Sequence, residues 1–145
     1  MVLADVNVLI AAFRVDHPDH VVGRRWLEST LASPNAFGVS ELALAGVVRI
    51  TTNRRAMKDP NEAGEAFEYV GAIRQARQAV IVSPGPRHWE IFQQVVLDAR
   101  ATGTLVADAY HAALAIEHGC EWITLDGDFA RFPGLKWRRP DERTK

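Results

Sequence analysis

The residues able to do chemistry in this chain are carboxylates, and they recur at similar places. The apolar run Val2-Leu3-Ala4 is followed by Asp5, and Ala36 to Val39 by Ser40 and Glu41. Trp122-Ile123-Thr124-Leu125 is followed by Asp126 and Asp128, and Asp108 interrupts the apolar stretch Leu105-Val106-Ala107-Asp108-Ala109. Carboxylates brought close together repel and raise one another's pKa. No Lys or Arg adjoins Asp5, Glu41, Asp108 or Asp126 in sequence. A hard divalent cation would supply the missing charge, and Mg²⁺ or Mn²⁺ prefers carboxylates plus water. An ion held this way activates water and stabilises charge building on a phosphodiester. The expected chemistry is that of a nuclease.

Each acid also has a plainer role. Asp5 is placed to cap the following helix. Glu41 and Asp108 fall at helix starts, where a carboxylate complements the dipole. Asp126-Gly127-Asp128 has the composition of a turn. Their joint placement carries the signal. Asn7, within the apolar Val6-Asn7-Val8-Leu9-Ile10, is expected to have a buried partner such as the Asp5 carboxylate. Thr124 points the same way along its strand as Asp126, so it can orient a carboxylate or a water.

These positions need a scaffold that brings strand ends together. Strands are expected at Val2-Leu3-Ala4, Ala36 to Val39, Ala79 to Val82, Glu121 to Leu125 and around Leu135-Lys136-Trp137. Helical periodicity fills the intervals: Val6 to Phe13, a helix carrying Val21 to Leu31, and one capped by Ser40. Asp59-Pro60 reads as an N-cap and first helical residue, opening a helix to about Gln78. A further helix carries Trp89, Phe92, Val95, Val96 and Ala99 and ends near Gly103, and another runs from about Val106 to His118. Strands this far apart pair through crossovers, not hairpins. The fold class is α/β: an open, mainly parallel sheet with helices on both faces. In such sheets ligands bind beyond the strands' carboxyl ends, near a topological switch point. The third strand ends in Ser83-Pro84 without an acid, which suits an edge.

The length of 145 residues suits one domain spanning 1–145, and 48% hydrophobic residues suffice for a core. No apolar run approaches the roughly 20 residues of a membrane span, and no signal-peptide pattern opens the chain. The single cysteine, Cys120, excludes a disulfide framework, so a cytoplasmic location is expected. A formal charge of −1 argues at first against a nucleic-acid partner. With Asp5, Glu41, Asp108, Asp126 and Asp128 assigned to a cation pocket, 13 of the 18 acids remain against 17 basic residues. Net charge conceals a basic surface.

Asp5-Val6-Asn7, Ser40-Glu41-Leu42, Asp108-Ala109-Tyr110-His111-Ala112-Ala113 and Thr124-Leu125-Asp126-Gly127-Asp128-Phe129 resemble the four acidic motifs of PIN-domain ribonucleases. Size and motif order resemble the VapC toxins of bacterial toxin–antitoxin pairs, over nearly the whole chain. The resemblance implies a five-stranded parallel sheet and a Mg²⁺- or Mn²⁺-dependent endoribonuclease. It also implies a homodimer inhibited by a VapB antitoxin, and structured RNA such as tRNA as substrate. Asp5, Glu41, Asp108 and Asp126 match the metal-binding acids; Asn7, Thr124 and Asp128 match supporting positions. Val6 departs from the small hydroxyl residue often found there.

Outside the motifs, Asp16, His17, Asp19 and His20 are better read as a helix entry than a metal site. His111 lies one turn after Asp108. Trp26 and Trp89 read as core or dimer interface, and Trp137 either packs inward or stacks on a base. Arginine pairs with phosphate and stacks on bases. Arg49, Arg54 and Arg55, with Lys58, form one basic cluster; Arg138 and Arg139, with Lys136, form another. Both are candidate RNA contacts, whereas Arg74 and Arg77 read as solvated helix surface. Two rival functions stand beside the nuclease. One is a module that binds RNA or antitoxin without cutting. The other is phosphotransfer with Asp5 as acceptor, which wants a lysine near a later strand end; Lys136 is the only candidate.

Overall fold

A computed structural model describes residues 1–143; Thr144 and Lys145 lie outside the described residues. Five short strands form one sheet: β1 (Val2–Ala4), β2 (Phe37–Val39), β3 (Ala79–Ile81), β4 (Glu121–Ile123) and β5 (Trp137–Arg138). Their order is β3-β2-β1-β4-β5, and every pairing is parallel. The chain steps outward from β1 to β3, then crosses back to lay β4 on the other side of β1. The switch point therefore lies between β1 and β4, at the end of β1 that carries Asp5. The edge position expected for the third strand is observed.

Alternation along the strands divides the core. Leu3 and Trp122 turn to one face, where they pack with Val95, Ala109, Ala112, Phe129 and Phe132. That layer is built by α5 (His88–Ala99) and α6 (Thr104–Glu117). Ala4, Phe37 and Val39 turn to the other face, against Leu9, Leu27, Leu44, Val47 and Val70. There the layer comprises α1 (Val6–Phe13), α2 (His20–Ala32), α3 (Glu41–Thr51) and α4 (Ala63–Arg74). Two-sided burial explains why the strands read as continuous apolar runs. A Cβ at Gly23 would stand 2.8 Å from the Ala12 backbone nitrogen, so α2 approaches α1 too closely for any side chain there.

Several element boundaries differ from expectation: β4 ends at Ile123 rather than Leu125, β5 lies at Trp137–Arg138, and three helices are shifted. The helix expected from Asp59-Pro60 begins at Ala63 and ends at Arg74. Buried Arg14 accounts for the late start: its Nη1 donates to the Asp59 carbonyl at 2.6 Å and to Asn61 Oδ1 at 2.8 Å. Those bonds hold the segment outside helical geometry. α5 stops at Ala99, before Gly103, because Arg100 turns left-handed at φ 52°. α6 starts at Thr104, so Asp108 falls beyond its first turn and the plain dipole role loses force.

Candidate functional site

Because all strands run the same way, everything following a strand gathers along one sheet edge. Asp5 follows β1, Glu41 follows β2, Asp126 follows β4 and Arg139 follows β5. α6 leads back to the opposite edge to enter β4, so its N-terminal half, with Asp108, reaches the same edge.

The centre of the site is a hydrogen-bonded frame across the switch point. Asp5 occupies the N-cap position of α1, but its carboxylate makes no capping bond. It accepts the Thr124 hydroxyl at Oδ2, 2.6 Å away. Thr124 Oγ1 in turn accepts Asn7 Nδ2 at 3.2 Å and the Asp126 amide at 3.0 Å. A hydroxyl has one donor and two acceptor sites, and all are used. Asn7 Oδ1 accepts the Leu125 amide at 3.1 Å, so the partners of Asn7 are Thr124 and Leu125 rather than Asp5. Thr124 is fully buried, with its hydroxyl turned onto the Asp5 carboxylate.

Electrostatics records the crowding. Burial pushes the Asp5 carboxyl up to about 6; the Thr124 hydrogen bond opposes this, and the negative charges of Asp108 and Asp126 add to it. Asp108 is also raised, first by burial and then by Asp126 and Asp128. Asp5, Asp108, Asp126 and Asp128 thus share one electrostatic neighbourhood. Asp126 keeps a structural duty as well: its Oδ1 accepts the Asp128 amide at 2.8 Å, opening the 3₁₀ turn Gly127–Arg131.

Glu41 stands apart. Its Oε2 accepts Arg74 Nε at 2.9 Å, so Arg74 is a partner of a candidate site acid and not merely solvated surface. The two residues are 33 positions apart, and no local pattern announces the pair. Among the described residues, no three His, Cys, Asp or Glu side chains stand close enough as placed to hold an ion.

The basic residues separate. Arg139 Nη1 donates to the Leu125 carbonyl at 2.8 Å, at the acidic edge. Arg138 is held in a largely buried pair with Glu121 at 2.7 Å and donates to the Glu142 carbonyl, which commits its guanidinium to the C-terminal segment. Arg49 is exposed in the last turn of α3, eight residues and roughly 12 Å beyond Glu41 along the helix. Arg54 and Arg55 are exposed in the loop after it. Lys136 precedes β5, at the opposite sheet edge from Asp5, where it cannot serve an aspartyl-phosphate.

His17 and His20 enter α2, with His20 Nδ1 2.8 Å from the Ala11 carbonyl. His111 stacks on Trp122 with ring centroids 5.6 Å apart, and burial lowers its pKa. Trp26 and Trp137 pack against the core, whereas Trp89 is two-thirds exposed.

A parallel α/β sheet with carboxylates gathered at its switch point is the arrangement of a PIN domain, and the PIN-domain family model matches residues 2–135. Ribonuclease VapC25 of Mycobacterium tuberculosis is 42% identical over 140 residues, covering 97% of this chain and 99% of that protein. The chain belongs to the PIN-domain family and, within it, to the VapC ribonucleases. The fold is shared with VapBC-1 from nontypeable Haemophilus influenzae, with a TM-score of 0.70 at 14% identity, covering 98% of this chain and 100% of that one. It is shared equally with VapC20 of Mycobacterium tuberculosis, a sarcin–ricin loop cleaving toxin, with a TM-score of 0.66 at 17% identity, covering 93% and 98%.

Proposed function

We propose that this chain is the toxin of a type II toxin–antitoxin pair and a Mg²⁺- or Mn²⁺-dependent endoribonuclease. The observation that carries the reading is the frame Asn7–Thr124–Asp5. It fixes a buried carboxylate beside Asp108 and Asp126, where like charge and burial already strain it. An all-oxygen donor set of this kind suits a hard divalent cation. Asp5, Asp108 and Asp126, with Glu41, would hold it, and Asp128 supports the turn that presents Asp126. When bound, the ion would supply the positive charge that polarises a phosphodiester and lowers the pKa of water.

The chain's own residues do the rest. Thr124 and Asn7 orient Asp5 without competing for its second oxygen. Arg139 sits beside this edge, and Arg49 at the end of α3 and Arg54 and Arg55 in the loop after it offer exposed guanidiniums for the backbone of a folded RNA. A substrate that reaches both must be larger than a dinucleotide; structured RNA is the class proposed, with a tRNA as the first candidate. Cleavage would leave 5′-phosphate and 3′-hydroxyl ends. No helix among the described residues is long and apolar enough to cross a membrane. Solved neighbours that are VapBC and toxin–antitoxin complexes support restraint by a VapB antitoxin; action in the cytoplasm, as one domain and as a homodimer, completes the proposed reading.

The test is cleavage of total RNA by purified Asp5→Asn and Asp108→Asn proteins, with 5′-end mapping after pulsed expression. Both substitutions should abolish Mg²⁺- or Mn²⁺-dependent cutting while circular dichroism stays native. Retained cutting in both overturns the assignment. Chelator-insensitive RNA binding without cleavage would instead mark a non-cutting binding module.

A further inference from the structure

Glu41 opens α3 immediately after β2, and β2 lies beside β1, whose end carries Asp5. By position Glu41 belongs with the other acids. Its carboxylate, however, is taken by Arg74 at the last turn of α4, 2.9 Å away, with both side chains about half exposed. Asp5 feels the charges of Asp108 and Asp126, and Asp108 those of Asp126 and Asp128. A surface pair of this exposure contributes little to stability, so its interest lies in which carboxylate it occupies.

We propose that Arg74 is a positioning residue for the site. Its guanidinium holds Glu41 back from Asp5, Asp108 and Asp126, and a divalent cation completes its ligand set only by taking Glu41 from Arg74. This rests on the metal-dependent reading above. The exchange is easy because the pair is exposed and weak, and it leaves Arg74 at the rim with its N–H donors free. A guanidinium released beside the acids is suited to a phosphate oxygen pair of the substrate. Arg74 therefore opposes ion binding in the resting protein and favours RNA binding once the ion is seated.

The experiment is calorimetric titration of the full chain with Mn²⁺ alone, at fixed pH and ionic strength. Arg74→Gln should tighten Mn²⁺ binding about two- to five-fold, the range an exposed pair allows. Arg74→Lys, which keeps the charge, should stay near wild type. Arg77→Gln removes the same charge from an exposed position three residues on and should leave the affinity unchanged. In a Glu41→Gln background, Arg74→Gln should have no further effect. With RNA, Arg74→Gln should raise KM without lowering kcat. Unchanged Mn²⁺ affinity in Arg74→Gln, or equal tightening by Arg77→Gln, overturns the proposal. If wild type binds Mn²⁺, Asp5→Asn does not and Arg74→Gln behaves as wild type, the role of Arg74 falls and the metal-dependent reading stands. If wild type binds no Mn²⁺, both fall.

Discussion

The Thr124 hydroxyl donates to Asp5 Oδ2 at 2.6 Å, joining residues 119 positions apart across the seam between β1 and β4. Through its remaining lone pairs the same oxygen gathers Asn7 and the Asp126 amide, so one hydroxyl oxygen ties the first acidic motif to the fourth. Thr124→Val keeps the shape and removes that atom. It strands a buried carboxylate and an amide, which costs about 1–3 kcal/mol, and cleavage should fall sharply. Thr124→Ser should restore most of both. Urea unfolding beside RNA cleavage reads the outcome; a Thr124→Val protein with wild-type stability and rate would show the frame to be dispensable.

Asp5 gives a pH dependence with a definite sign. Its folded pKa of about 6 lies above the ordinary 3.8. Below 3.8 the group is protonated in both states. Between the two values the unfolded chain releases its proton first, so Asp5 lowers stability as pH rises through 6. The loss is bounded by about 3 kcal/mol at ~1.4 kcal/mol per pH unit. In chelator, denaturant melts from pH 4 to 7.5 should show this decline, and Asp5→Asn should flatten it. An unaltered slope in the mutant would assign the decline elsewhere.

A divalent cation should reverse the same penalty. Saturation at a hundred times Kd adds about 2.7 kcal/mol to a folded state that alone binds the ligand. Mn²⁺ is therefore expected to raise Tm at pH 7.5, with EDTA restoring the lower value. Asp108→Asn should remove most of the shift. An Asp108→Asn protein that gains as much Tm as wild type would place the ion elsewhere.

Distance separates binding from chemistry on α3. Arg54→Gln with Arg55→Gln alters exposed side chains beyond the far end of that helix. Binding of structured RNA should weaken and lose part of its salt dependence, because fewer counterions are released. A short single-stranded oligonucleotide should be cut at the wild-type rate. If both substrates suffer equally, the loop acts through the fold instead.

Gly23→Ala tests the packing of α2 on α1. The added Cβ meets the Ala12 backbone nitrogen and Ala11 Cβ, neither of which can swing aside. Overpacking of this kind costs about 1–3 kcal/mol, against the slight gain an Ala brings to an unconstrained helix. Thermal melts should show a fall in Tm; a rise would mean the helices separate freely.

How much of this was legible in the sequence follows from how far each signal travels along the chain. β1, α1 and β2 were readable to within a residue, because apolar runs, caps and turn residues act over a few positions. The Ser40 cap is an example: its hydroxyl accepts the Ala43 amide just three residues away. The acids at strand ends followed, since parallel pairing forces those ends onto one edge. Legibility stopped wherever a partner came from elsewhere. Asp59-Pro60 has a helix-opening pattern, yet Arg14, 45 residues earlier, takes the Asp59 carbonyl and prevents it. Glu41 reads as one of four equivalent acids, and only the docking of α4 on α3 hands it to Arg74. Arg138 and Arg139 look alike as neighbours, but strand alternation sends one to Glu121 and leaves the other at the acidic edge. Short-range periodicity and capping set the order of elements and the chemistry available at the strand ends. Which of those groups meet depends on the packed fold, because hydrogen bonds and ion pairs select their partners by proximity in space.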